Sequence, residues 1–153
     1  MAKRIIGVVI LVVVVIQFFR PARNISSEPP GKDDVTVRFA PPPAVAQTLR
    51  TACYDCHSNN TRYPWYANVE PVGWWLANHI KDGKRHLNFS VIGSYSAKKQ
   101  AHVFDAISDQ VTEHDMPLQS YTWIHRDARL TTAQINALSD WSDAQHDKVA
   151  PND

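Results

Sequence analysis

Cysteine is almost missing from this chain: two in 153 residues, Cys53 and Cys56, with two residues between them. Thiols so few and so close exclude a disulfide framework. Net charge is scarce too. Sixteen lysines and arginines stand against fifteen aspartates and glutamates, a formal +1, so nothing global argues for nucleic acid. There are no internal repeats and no second C-x-x-C. With Met1 set aside, Met116 is the only methionine. The length provides one domain with a real core, plus appendages.

A long membrane-spanning run is also lacking. The apolar stretch covers residues 5–19, fifteen in all. As a helix it reaches roughly 22 Å, short of a hydrocarbon core of roughly 30 Å. That length suits a signal-peptide core or a short anchor whose flanking Lys3, Arg4, Arg20 and Arg23 snorkel. The small residues of a cleavage site are missing, because the chain continues Gln17-Phe18-Phe19-Arg20-Pro21. Residues 1–20 therefore read as an uncleaved signal anchor, with positive charge on both sides leaving orientation open. Without those four basic residues, twelve remain against fifteen acidic ones, so the rest is mildly acidic. Residues 21–43 hold six of the ten prolines and read as a semi-rigid spacer, a stalk. Within it Val35-Thr36-Val37-Arg38-Phe39 forms a short strand or lies along the domain surface.

What the chain does have is concentrated at Cys53-Tyr54-Asp55-Cys56-His57. C-x-x-C-H is the pattern of covalent c-type haem attachment, each sulfur adding to a vinyl group and the histidine binding iron. One such run implies one haem c. Zinc fits poorly, since His79 and His86 fall outside the usual H-x₃₋₅-H spacing. A dithiol redox pair needs a βαβ context that this helical pattern lacks. Haem of this type is attached on the exported side. The domain is accordingly expected at the cytoplasmic membrane, facing the periplasm or cell exterior.

Residues 44–153 read as the haem domain. A first helix covers residues 44–53 with Pro43 near its first position, its apolar stripe being Val45, Leu49 and Ala52. A second opens at Glu70-Pro71, with Val72, Trp75, Leu76, His79 and Ile80 on one face and Gly83 as its stop. A basic cluster, Lys81, Lys84, Arg85 and His86, suits its end. Ser96 caps a third helix to about Val111, and Thr131 with Gln134 makes the capping box of the last. Between the first two, Tyr63-Pro64-Trp65-Tyr66 is an aromatic loop expected to cover the haem, Tyr63, Trp65 and Tyr66 offering donors or packing. Met116, before Pro117, lies in an extended loop. Its thioether is the candidate second axial ligand opposite His57. His79, His102, His114 and His125 compete for that place.

Taken together, these residues resemble the haem-binding-domain family of small exported bacterial c-type cytochromes. The likeness runs over residues 44–141 and includes Cys53 to Asn59, Thr61, Tyr63 to Tyr66, Pro71-Val72, Met116-Pro117, Tyr121, His125 and Trp141. It implies an all-α, cytochrome-c-like fold in which first and last helices cross near the haem. It also implies attachment at Cys53 and Cys56, His57 as proximal ligand and Met116 as distal. The usual glycine before the methionine is replaced by Glu113-His114-Asp115. The expected role is a membrane-tethered electron carrier for an unidentified redox partner protein, with no nucleic acid involved. The alternative is a peroxidase-like enzyme or ligand sensor with a displaceable distal ligand, His114 or His125 serving as acid/base.

Overall fold

A computed structural model describes residues 1–150, and among these no strand occurs. Eight α-helices follow one another: α1 (Ala2–Ile16), α2 (Val35–Arg38), α3 (Pro43–Ala52), α4 (Tyr54–His57), α5 (Val72–His86), α6 (Ala97–Thr112), α7 (Gln119–Thr122) and α8 (Thr132–Val149). The caps explain where several of them begin. Pro43 takes the first position of α3, where its missing N–H costs nothing. The Ser96 hydroxyl accepts from Lys99 N–H at the start of α6. Thr131 and Gln134 form the reciprocal capping box of α8.

The core is built on α6 and α8, with α3 laid against α8. Val103, Phe104, Ile107 and Val111 of α6 meet Ile135, Leu138 and Trp141 of α8, with Val45 and Leu49 of α3 in the same cluster. These are the stripes that 3.6-residue periodicity selects. Phe104 and Trp141 pack edge to face at 5.6 Å, and the Ser108 and Ser139 hydroxyls share a hydrogen bond of 2.7 Å between the same helices.

Three features depart from the expectations. Residues 24–39 are not a free-standing spacer. Val35 is fully buried in the core, and Phe39 packs on Phe104 at 4.9 Å. The 35–39 segment is the helix α2, not a strand: Asp34 caps it, accepting from Thr36 N–H at 2.9 Å. Val35 and Phe39, four apart, thereby turn inward together. Earlier in the segment, the Asn24 side chain donates to Ser58 O and Thr61 Oγ1 and accepts from Lys84 Nζ.

Second, Gly83 does not stop α5, which continues to His86. Third, the buried stripe of α5 is Gly73, Leu76 and Ile80, while Val72 and Trp75 are exposed. The expected face was rotated because apolar residues on both sides of this helix make the period ambiguous. At the N-terminus, all of α1 lacks buried residues, and no described helix is long and apolar enough to cross a membrane.

Candidate functional site

Between α3–α4, α5 and α6 lies a cavity of about 500 Å³, a size typical of cofactor sites. One wall is the cysteine turn. α3 ends at Ala52, Cys53 N–H still bonding Leu49 O at 3.0 Å, and α4 then carries Cys56 and His57 through a single turn. Cys53, Cys56 and His57 all line the cavity. Burial, and secondarily the neighbouring Cys56, pushes the Cys53 thiol up to about 12. Burial, then Asp55, pushes Cys56 up to about 11. Both sulfurs are therefore neutral thiols near pH 7, held side by side.

His57 is oriented by its backbone surroundings. Its Nδ1 lies 3.0 Å from Leu87 O. A carbonyl can only accept, so Nδ1 carries the proton and Nε2 keeps its lone pair. Burial lowers the imidazole's pKa, which favours the neutral, metal-binding form. Leu87 follows α5 directly, and α5 approaches the turn through Gly83. A Cβ there would lie 2.8 Å from Cys56 O, inside any tolerable contact. Gly83 is thus required for close approach to the turn rather than as a helix stop.

A polar network braces the turn from outside. Asp55, inside the motif, is 6% exposed. Its carboxylate accepts from Arg62 N–H at 3.0 Å, from the Arg62 guanidinium at 3.2 Å and from Tyr121 Oη at 2.7 Å. Burial first, and then that bond to Asp55, raise the Tyr121 phenol well above the ordinary range. Tyr121 also lines the cavity and stacks on His125 at 4.2 Å. Asp55 and Arg62 went unremarked in the sequence because their pairing is set by the fold of the loop after His57.

Across the cavity, Met116, Pro117 and Leu118 line the wall beside Val103, Ile107 and Val111 of α6. Asp115 and Met116 N–H both bond Gln110 O at 3.0 Å, which fastens this loop to the end of α6. Of the competing histidines, His79 and His102 line the cavity together with His86. His114 is exposed with a positive φ of 62°, and it does not line the cavity. His125 is likewise outside it, 2.7 Å from Tyr66 Oη.

The aromatic loop departs from expectation, since Tyr63, Trp65 and Tyr66 do not line the cavity. Tyr63 Oη accepts from Asn24 N–H at 2.7 Å, so it ties the N-terminal segment down. Trp65 is 78% exposed. Tyr66 engages His125 and reaches the site only through Tyr121.

Two neutral thiols, a neutral imidazole with Nε2 bare and a thioether in one apolar cavity fit a haem by donor chemistry. The protein is thus, by class, a helical haem-binding protein. A family model described as a haem-binding domain matches residues 11–144, and the chain belongs to that family. No curated protein and no solved structure matches it.

Proposed function

We propose that this chain is a membrane-tethered mono-haem c-type cytochrome that carries electrons. The observation that carries the reading is the shared cavity. Cys53, Cys56, His57 and Met116 line the same cavity. In this reading Cys53 and Cys56 would hold the haem covalently through their sulfurs, and His57 Nε2 and Met116 Sδ would ligate its iron. The bound group supplies a reversible one-electron iron couple, its potential raised by the soft sulfur. The Leu87 carbonyl holds the His57 proton on Nδ1 and raises the ligand's basicity. The apolar wall from α6 keeps water from the site.

The proposal extends to place. Residues 1–20 act as the anchor, α1 entering the cytoplasmic membrane and the haem domain facing the periplasm or exterior. A redox partner protein exchanges electrons at the cavity mouth. For the enzyme alternative, His114 and His125 lie outside the cavity, and the histidines that line it are His79, His86 and His102. Visible spectra of protein produced with a c-type maturation system test the proposal. Pigment retained after acid–acetone extraction is expected, with low-spin spectra in both oxidation states. Met116→Ala is expected to lose the methionine–iron absorption band, and an unchanged band removes Met116 as ligand. Rapid carbon monoxide binding to the reduced wild-type protein would instead point to an open distal position.

A further inference from the structure

We infer that the haem domain sits directly on the bilayer, with Val69, Val72, Trp65 and Trp75 in the interfacial layer of the leaflet that α1 enters. This rests on the reading of α1 as the membrane segment. It replaces the stalk with a fixed seat, and the occupant of the exposed apolar surface is lipid.

The first support is how α1 leaves its helix. Gln17, the next residue after α1, is bound reciprocally to Glu70: its Nε2 donates to Glu70 O at 3.1 Å, and Glu70 N–H donates to its Oε1 at 2.9 Å. Two residues on, Phe19 O accepts from Trp74 Nε1 at 2.6 Å. Arg23 then bonds Asn68, and Asn24 is held by Ser58, Thr61 and Lys84. No length of free chain separates the apolar helix from the domain, so the start of α5 lies beside the end of α1.

The second support is what surrounds that clamp. Val69 and Val72 flank Glu70 at 45% and 39% exposure, Trp75 one turn further is 46% exposed, and Trp65 is 78% exposed. Phe18 and Phe19, in the strap between α1 and Arg20, are 82% and 65% exposed. Exposed large apolar side chains gathered around one clamp mark a candidate interaction site. Tryptophan at the end of an apolar segment is the side chain of the membrane–water boundary. Glu70 itself is buried at 2% exposure, with Oε2 accepting from Trp74 N–H, so its carboxylate is not part of the exposed surface.

Charge supplies a third support. Arg20 and Arg23 follow the apolar run. Behind the strap an open hollow of about 400 Å³ is lined by Arg23, Lys81 and Lys84 with no carboxylate among its walls. Arg20, Arg23 and Lys81 can each pair with a lipid phosphate at that surface. Seated this way, the fifteen-residue α1 needs no spacer to reach lipid, and bilayer thinning accommodates its short length. Trp75 packs on His79 at 4.1 Å, and His79 lines the haem cavity. The cavity rim then stands close to the bilayer, which limits partners to those working at the membrane surface.

The test uses full-length holoprotein in vesicles of phosphatidylcholine and phosphatidylglycerol. Its haem-bound cysteines leave an introduced one as the only free thiol. Val69→Cys, Val72→Cys and, as an exposed reference on α8, Asn136→Cys are each spin-labelled. Electron paramagnetic resonance compares label collisions with oxygen and with a water-soluble nickel chelate. Labels at 69 and 72 are expected to shift toward oxygen, and the label at 136 to stay water-like. If the protein floats with the vesicles but all three labels are equally open to nickel, the seat is wrong and the anchor stands. Dipolar broadening between labels at 69 or 72 would assign this surface to a second copy and overturn the lipid assignment. Failure to float would overturn the anchor, and the seat with it.

Discussion

Two sides of the candidate haem cavity are built by opposite means. The cysteine wall is a single turn between helices, closed in by α5, braced by Asp55, Arg62 and Tyr121, and oriented by the Leu87 carbonyl. The methionine wall is a loop that owes its position to two N–H groups on one carbonyl, Gln110 O, and to packing along α6. One wall is over-determined and the other lightly held. The braced side fixes the His57 tautomer through the Leu87 carbonyl, whereas the Met116 loop has fewer bonds to hold it.

Substitutions that strike each wall should reproduce this contrast. The largest loss is expected from His57→Ala, which removes the proximal donor and should give protein with no low-spin haem spectrum after maturation. Gly83→Ala comes next. Its Cβ meets Cys56 O at 2.8 Å, an overpacking against backbone that costs about 1–3 kcal/mol. Denaturant midpoints should fall accordingly, and haem incorporation should drop with them. Wild-type behaviour for Gly83→Ala would show the proximal wall to be as yielding as the distal one.

Tyr121→Phe is smaller in scope. It strips a 2.7 Å donor from the buried Asp55 carboxylate, costing about 1–3 kcal/mol by removing one of several bonds. Its pH signature is separate. The phenol's pKa is raised in the folded protein, so above about pH 10 the unfolded chain loses its proton first and stability falls with rising pH. That alkaline loss should be shallower in Tyr121→Phe, as urea midpoints across the range would reveal. Met116→Leu is expected to be the mildest for stability. A near-isosteric apolar swap usually costs less than about 1.5 kcal/mol, yet it should abolish the sulfur–iron band. A large stability loss there would mean that the distal wall, too, is over-determined.

Part of the candidate cavity's lining was legible in the sequence. C-x-x-C-H needs only local spacing, and the cavity does gather Cys53, Cys56, His57 and Met116. The aromatic loop was misread because a cluster such as Tyr63 to Tyr66 carries no information about which side of the chain it covers. Its hydroxyls in fact bind Asn24 and His125. Asp55 lay inside the motif, but its worth depends on Arg62 and Tyr121, the latter 66 positions away.

The sequence by itself determined the four long helices of the domain and where they begin, the single C-x-x-C-H and the lone loop methionine, because periodicity, capping and covalent chemistry act over a few neighbouring residues. Tertiary structure decided the rest: which histidines face the cavity, why residue 83 is glycine, and that residues 24–39 join the domain. Each depends on two segments meeting from far apart in the chain. No local pattern records the 2.8 Å between a would-be Cβ at Gly83 and the carbonyl of Cys56.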